Sequence, residues 1–193
     1  MKRVDPIRNR EQIEAMKDYL RQKQQYAQRD YLIFMMGLGS ALRINDILHL
    51  TINQVWDGRN VHRTVYTRER KTGKVKQFAV SRNLEAAIRD YVLTLDEQTP
   101  HDNYLFPSRM GSNRPLSRQQ AYNILRNAAD HAGVEGRISP HSMRKTWGYH
   151  AYKMKVPLPL IMEALNHSSI EETMIYLGIT QDELNDVYMA LNL

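Results

Sequence analysis

The sequence predicts a mainly α-helical fold with a small antiparallel β-sheet (α+β), and three observations predict it. Most segments carry apolar residues at helical spacing between clear stop signals. Residues 60–80 instead form two β-leaning runs with a glycine-containing turn between them. The chain has 193 residues, of which 42% are hydrophobic and 25% charged, so we expect one domain with a sizeable core.

The first predicted elements are helices. Residues 8–27 carry apolar side chains on one face among charged ones, which is typical of an amphipathic helix. Asp30 can cap a short apolar helix that runs through Met36 and ends at the glycines that follow. Asn45 can serve as the N-cap of a further short helix over residues 46–50.

The middle of the chain predicts a β-hairpin. The stretch from Val61 to Tyr66 and the stretch 74–80 are the two β-leaning runs. The segment 70–74 (Arg-Lys-Thr-Gly-Lys) joins them, and its glycine suits a tight turn. We therefore expect basic side chains to point outward from the hairpin tip.

Capping signals predict the remaining helices. One helix covers residues 83–95, and Ser117 with Gln120 forms a capping box for the next. Ser139 followed by Pro140 starts another, since proline suits the first helical position. The last three helices begin near Pro157, Ser169 and Thr180.

Charge and composition narrow the functional class. There are 27 Lys and Arg against 21 Asp and Glu, giving a net charge of +6 and a pI near 9.5. Such a surplus suits a polyanionic partner, because each neutralised phosphate releases a counterion; an ordinary basic protein is the alternative. With no cysteine, a disulfide framework, a zinc ribbon and a thiol nucleophile are excluded.

We expect neither a membrane protein nor a secreted one. The longest apolar run, Leu32–Met36, is far too short to span a bilayer. The N-terminus also lacks the layout of a signal peptide. The expected location is the cytoplasm, in association with the nucleoid.

His141 and Arg144 are the first candidate pair for chemistry. They lie three residues apart in a predicted first helical turn, so their side chains emerge on one face. That turn offers unpaired backbone N–H groups and the positive end of the helix dipole to a phosphate. His141 can exchange a proton near neutral pH, and Arg144 can bind two phosphate oxygens. Taken alone, such a pair is more often two surface residues.

Four other side chains are weaker candidates individually. His167 lies at a predicted helix junction, and Tyr176 lies near the end of the helix that follows, where core packing is the alternative. Arg43 has Asp46 three residues later to orient it, although a helix-flanking arginine is usually solvated. Lys71 lies at the hairpin tip, where lysines commonly serve solubility.

In their order, these segments resemble the four boxes of the tyrosine recombinases, also called phage integrases. Residues 39–48 (GSALRINDIL) resemble the first arginine box, and residues 71–74 (KTGK) resemble the hairpin-lysine motif. Residues 140–144 (PHSMR) resemble the His-x-x-Arg box. Residues 165–176 resemble the closing box, with its tyrosine nine residues after the histidine. The resemblance extends over about residues 10–190 and implies the tyrosine recombinase catalytic-domain fold.

The resemblance also implies a mechanism like that of type IB topoisomerases. Tyr176 would attack the scissile phosphate of double-stranded DNA, giving a 3′-phosphotyrosine and a free 5′-hydroxyl. Arg43 and Arg144 would neutralise the non-bridging oxygens in the transition state. Because the phosphotyrosine stores the bond energy, no cofactor, metal or ATP is implied.

The remaining implied roles concern protons and positioning. Lys71 would protonate the leaving 5′-oxygen, and His141 would assist proton movement at the tyrosine. His167 would donate a hydrogen bond to a phosphate oxygen, and Asp46 would hold Arg43 in place.

The chain departs from the family at three places next to these residues. Asn166 stands where many members have Gly, Lys145 where many have His, and Ser142-Met143 where many have Asp-Leu, so we expect altered rates rather than lost activity.

The domain organisation is a further departure. Typical members carry an N-terminal clamp domain, and we expect residues 1–193 to be a single catalytic domain without it. A fragment and a short member similar to the fimbrial phase-switch recombinases are both open. In the family the C-terminal tail docks on a neighbouring protomer, which implies a tetramer on paired sites. A helix over residues 180–193 can dock in this way or pack on its own domain.

Three functions are compatible with the sequence. A site-specific recombinase or integrase is the main interpretation. A DNA-binding regulator that keeps the fold is the alternative, but it has no need of a phenol beside two arginines. A metal-dependent nuclease fits worst, because the sequence has neither clustered carboxylates nor a zinc-spaced histidine pair with a carboxylate partner.

Overall fold

The predicted helical architecture with one hairpin is confirmed by the computed structural model, which describes residues 4–136, 138–179, 185 and 189–190. In chain order the elements are α1 (Arg10–Gln22), α2 (Ala27–Gly39), α3 (Ile44–Leu48), α4 (Ile52–Val55), β1 (Thr64–Arg68), β2 (Val75–Ala79), α5 (Arg82–Val92), α6 (Arg118–His131), α7 (Pro140–Lys153), α8 (Leu158–Leu165) and α9 (Ile170–Leu177). The predicted C-terminal helix over residues 180–193 lies largely outside the described residues. No helix in the described part of the chain is both long and apolar enough to cross a membrane.

The boundary between α1 and α2 differs from the prediction. The first helix ends at Gln22 rather than near residue 27, and the chain turns at Tyr26, whose left-handed backbone (φ 59°) immediately precedes α2. Asp30 is therefore not an N-cap; it lies inside the first turn of α2. Its buried carboxylate pairs with Lys23 and Arg29, which closes the corner between the two helices.

Helix α2 lies at the centre of the fold. It packs against α1, α5 and α7, and its apolar side chains, such as Ile33 and Phe34, are fully buried. At Gly37 it approaches α7 so closely that an added Cβ would lie 2.8 Å from the Cβ of Met143. This contact places the end of α2 beside the start of α7.

The hairpin forms with the predicted antiparallel pairing. Val65 on β1 faces Phe78 on β2 in the register, and both are buried on the inner side of the sheet. The turn is closed by hydrogen bonds from the amide of Glu69 to the carbonyl of Lys74 and from the amide of Gly73 to the carbonyl of Glu69. The inner side of the hairpin lies against the ends of α2 and α8, since Lys76 on β2 bonds to carbonyl oxygens there.

The last helices begin at the predicted caps. Ser139 accepts a hydrogen bond from the His141 amide at the start of α7, and Ser169 accepts one from the Glu172 amide at the start of α9. Between α8 and α9 the chain reverses at Asn166, which is left-handed (φ 49°, ψ 46°). The reversal brings α9 back against α7.

Candidate active site

Arg144 is fully buried in the first half of α7 and connects two helix ends. Its Nη1 donates to the carbonyl of Ala41, just after α2, at 2.8 Å. Its Nη2 donates to the carbonyl of Leu165, the last residue of α8. Because carbonyls at helix ends lack intrahelical partners, one guanidinium here satisfies two of them and is itself held rigidly.

Arg43 lies at the N-cap of α3 and pairs with a carboxylate that the sequence analysis did not single out. Its Nη1 lies 2.6 Å from Oε1 of Glu69 at the base of the hairpin turn. The predicted partner, Asp46, instead lies buried with its Oδ1 accepting a 2.9 Å hydrogen bond from the amide of Arg70. The predicted role of Asp46 is therefore corrected: it fixes the hairpin turn, and Glu69 is the carboxylate beside Arg43.

Tyr176 projects from the last turn of α9 and lies between two imidazoles. The centroid of its ring is 5.3 Å from that of His141 and 4.8 Å from that of His167, both in edge-to-face arrangement. Its hydroxyl is buried near the guanidinium of Arg144. Burial raises the pKa of Tyr176 to about 12, although the charges of Arg144 and Arg43 oppose the increase.

Both histidines are held in their neutral form near pH 7. Partial burial, together with the positive charges of Arg144 and Lys145, lowers the pKa of His141 to about 4. Burial also lowers the pKa of His167, against the opposing charge of Glu172. A neutral imidazole has one nitrogen free to accept a proton, so either ring can serve as an acceptor beside the phenol.

The structure places Lys76, rather than Lys71, next to this cluster, since Lys76 and Arg144 both donate to the carbonyl of Ala41. Lys71 is exposed at the hairpin tip, as the sequence predicts. Lys76 donates from Nζ to the carbonyls of Ala164 and, at 3.4 Å, Ala41. Burial and the charge of Arg144 lower the pKa of Lys76 to about 8.

Lys145 is another residue that the sequence analysis did not assign to the site. It is buried on α7, and its Nζ lies 5.2 Å from the centroid of the Tyr176 ring. A cation at this distance from an aromatic face is attracted to it and stabilises negative charge that develops on the ring.

The alternation of side chains along a β-strand could have predicted where Glu69 and Lys76 lie. Val65 and Glu69 are four positions apart, and Lys76 and Phe78 are two apart, so each pair shares a face if the strand continues. Because Val65 and Phe78 are the apolar members of those pairs, Glu69 and Lys76 are placed on the inner side. Nothing comparable in the sequence indicated the contact of Lys145 with Tyr176.

The arrangement suits a reaction at a phosphate. Two guanidiniums, two neutral imidazoles and a phenol from four separate segments meet in one place, and positive charge at that place would neutralise developing charge on phosphate oxygens. Among residues 4–136, 138–179, 185 and 189–190, no three His, Asp or Glu side chains form a group that could hold a metal ion.

The chain is similar in sequence to a known protein family and to known recombinases. Residues 8–183 match the sequence profile of the Phage integrase family. The chain is 39% identical over 185 residues to the Probable integrase/recombinase YoeC of Bacillus subtilis, covering 96% of this chain and 95% of that protein. It is 29% identical over 164 residues to the Tyrosine recombinase XerD of Corynebacterium glutamicum, covering 83% of this chain but only 51% of that protein.

Solved structures share the fold. A crystal structure of XerA recombinase superposes with a TM-score of 0.75 at 18% identity, covering 100% of this chain and 67% of that one. XerH site-specific recombinase bound to difH substrate gives a TM-score of 0.74 at 18% identity, covering 97% and 55%. The catalytic domain of bacteriophage HP1 integrase gives 0.61 at 17% identity, covering 97% and 95%.

Proposed function

Because the chain belongs to the phage integrase family, we propose that it is a site-specific DNA recombinase or integrase that cleaves and rejoins strands through a 3′-phosphotyrosine. The observation that carries this proposal is the position of Tyr176 beside His141 and His167, in the field of Arg43 and Arg144. A protein that only binds DNA needs no phenol at that position.

Strand cleavage begins with an attack by the phenolic oxygen of Tyr176. A bond forms between that oxygen and phosphorus, the bond from phosphorus to the 5′-oxygen breaks, and the phenolic proton passes to a neutral acceptor such as His141. Since the pKa of Tyr176 is raised to about 12, the free enzyme holds the phenol protonated, and the proton must leave during the attack. Rejoining is the reverse reaction with a different 5′-hydroxyl, so neither ATP nor a metal ion enters the balance.

The guanidiniums of Arg43 and Arg144 stabilise the transition state. Phosphoryl transfer places added negative charge on the non-bridging oxygens, and fixed cations next to them lower the barrier without reorganisation. Arg144 is preorganised by its two carbonyl contacts. His167 acts as a hydrogen-bond donor to a non-bridging oxygen, with its Nδ1 held by Thr173 Oγ1 at 3.1 Å.

Lys71 protonates the leaving 5′-oxygen once DNA contacts the hairpin. Its ammonium is exposed on the turn that contains Gly73, where bound DNA could contact it. Asp46 supports that turn through the amide of Arg70 and so acts on Lys71 rather than on Arg43.

Double-stranded DNA is the proposed substrate, and self-association on paired sites the proposed assembly. XerH is bound to difH substrate, and the Tn1549 transposon integrase is in complex with circular intermediate DNA, in structures that share this fold. We propose a tetramer in which the segment 180–193 docks on a neighbouring protomer, in the cytoplasm at the nucleoid. The net charge of +6 fits a polyanionic partner.

A nicked suicide substrate, from which the cleaved end diffuses away, tests the function. In EDTA the wild-type protein should form a covalent DNA adduct, and Tyr176→Phe should form none while still binding DNA. Tyr66→Phe, at an exposed tyrosine, is the matched control and should cleave like the wild type. Binding without an adduct would favour the regulator, and EDTA-sensitive cutting without an adduct would favour a nuclease.

A further inference from the structure

The carboxylate of Glu69 connects three separate segments of the site. Its Oε1 lies 2.6 Å from Nη1 of Arg43. Its Oε2 accepts hydrogen bonds from Oγ1 of Thr72 at 2.9 Å and from Nδ2 of Asn166 at 2.5 Å. Arg43 begins α3, Thr72 lies in the hairpin turn, and Asn166 lies between α8 and α9, so one side chain joins segments that are distant in sequence.

Glu69 is completely buried, and its charge is maintained by these partners. Burial alone raises the pKa of a carboxyl group, but hydrogen bonds from Arg43, Thr72 and Asn166 outweigh that effect and lower the pKa of Glu69. A buried charge is costly unless it is paired, so removal of any partner should disturb the others.

Each contact of Glu69 lies at or next to a side chain of the proposed mechanism. It touches Arg43 directly. Thr72 follows Lys71 in the chain, and Asn166 precedes His167. The Glu69 carboxylate is therefore placed to set the relative positions of three groups that must act on one phosphate.

We propose that Glu69 is a positioning residue for strand cleavage, which holds Arg43, the hairpin turn and the α8–α9 junction in register before DNA binds. The inference rests on the proposed function and adds to it a residue that acts through others rather than on the phosphate. The opposite hypothesis is that the carboxylate merely occupies the phosphate position of Arg43 and inhibits the free enzyme. The two differ in the sign of the effect when the charge is removed.

Glu69→Gln provides the first test, because it keeps an amide oxygen as acceptor but removes the charge. We expect a single-turnover adduct rate roughly 10- to 100-fold below the wild type, since misplacement of a reacting group costs about this much. The dissociation constant for DNA should stay within about threefold, since the substitution removes no phosphate contact. Glu85→Gln, at a partly exposed glutamate that pairs with Arg89, is the matched control and should change neither value.

Asn166→Gly provides a second test that preserves the backbone. Asn166 is left-handed, a conformation that glycine adopts without strain, so this variant removes only the amide donor. We expect an adduct rate about 3- to 10-fold below the wild type, and no further loss when it is combined with Glu69→Gln, because residues in one network are not additive. This variant also keeps the inference testable if Glu69→Gln does not fold.

The results of these experiments distinguish a failure of the proposed function from a failure of the positioning role of Glu69. A wild-type protein that forms no adduct contradicts the proposed function itself. If the wild type forms the adduct, a Glu69→Gln rate equal to or above the wild type overturns only the positioning role. Additive effects of the two substitutions, or equal losses in rate and DNA affinity, would likewise overturn it, because they indicate general structural damage.

Discussion

Arg144 and Lys76 donate hydrogen bonds to the same main-chain carbonyl, that of Ala41, although one lies on α7 and the other on β2. Their second bonds go to neighbouring carbonyls, Leu165 for the guanidinium and Ala164 for the ammonium. Two cations therefore tie the end of α2 to the end of α8. The concentration of positive charge at the site thus has a structural function as well as a proposed chemical one.

Lys71 and Lys76 of the hairpin should differ in whether a better leaving group restores the cleavage rate after their substitution. Lys71→Met should lower the adduct rate by about 10²- to 10⁴-fold, the usual contribution of a general acid. A substrate whose bridging 5′-oxygen is replaced by sulfur should restore that rate, because a thiolate leaves without protonation. Single-turnover cleavage of the oxygen and sulfur substrates measures both effects.

Lys76→Met is the matched variant for this comparison. Lys76 bonds to carbonyls rather than projecting from the tip, so its loss should not be relieved by the sulfur substrate. Rescue of Lys76→Met but not of Lys71→Met would transfer the role of proton donor to Lys76.

Arg144→Lys should separate the cleavage rate from DNA affinity. A lysine keeps the charge but cannot donate to two carbonyls and a phosphate with a rigid planar group. We expect the adduct rate to fall by about 100-fold or more and the dissociation constant for DNA to change by less than about fivefold, because the lost interaction acts mainly in the transition state. Arg126→Lys, at a partly exposed ion pair with Asp130 on α6, should change neither. Equal losses in rate and affinity would contradict the role given to Arg144.

The sequence was sufficient to predict the caps of several helices. Ser117, Ser139 and Ser169 start their helices as predicted, because a cap depends on residues within one turn. The six residues proposed to react were also named from the sequence; the structure places Arg43, His141, Arg144 and His167 near Tyr176 and leaves Lys71 exposed, and their roles stay predictions. That prediction came from the ordered boxes as a set, since no single box was specific.

Ion pairs and hydrogen bonds between residues distant in sequence could not be predicted in the same way. The spacing of Arg43 and Asp46 suggested a local ion pair. In the structure Arg43 instead pairs with Glu69, and Asp46 accepts a hydrogen bond from the amide of Arg70. Both choices depend on how the hairpin docks on α3, which no local pattern specifies. The corner at Tyr26 was missed for another reason: a tyrosine rarely adopts a left-handed backbone, so no turn was expected there.

His141 should make the folded protein sensitive to mild acid. Its pKa is lowered to about 4 in the folded protein, whereas an unfolded chain has a value near 6.5. As pH falls from 6.5 to 4, the unfolded state binds a proton that the folded state does not, so stability falls with pH. Because the imidazole is partly exposed and solvent screens its charge, we expect only about 1 kcal/mol of this effect. The Tm of His141→Gln should therefore fall by roughly 2–4 °C less than that of the wild type over this range, and the difference between the two proteins should stay constant above pH 7.

Thermal unfolding followed by circular dichroism between pH 4 and pH 8 measures this difference. His101→Gln, at an exposed histidine, is the control and should follow the wild-type curve. A His141→Gln curve parallel to the wild type at every pH would show that the imidazole is not held neutral by its surroundings.

The close approach of α2 and α7 should be essential to both stability and cleavage. An added Cβ at Gly37 would lie 2.8 Å from the Cβ and 3.1 Å from the Cγ of Met143, and neither atom can move far without shifting α7. Gly37→Ala should cost about 1–3 kcal/mol of unfolding free energy, as overpacked cores usually do. The strain should also reduce cleavage, because Arg43 follows α2 and Arg144 follows Met143.

Gly39→Ala is the matched control for this prediction. It lies on the same helix, but its nearest contact is the Cδ2 of Leu84 at 3.4 Å, an ordinary separation. Both substitutions reduce the conformational freedom of the unfolded chain by a similar amount, so the difference between them isolates the contact with Met143. Denaturant unfolding and single-turnover adduct formation should both place Gly37→Ala well below Gly39→Ala. Two variants of equal stability would show that the helices can separate at Gly37 without cost, and that their approach does not hold the two guanidiniums together.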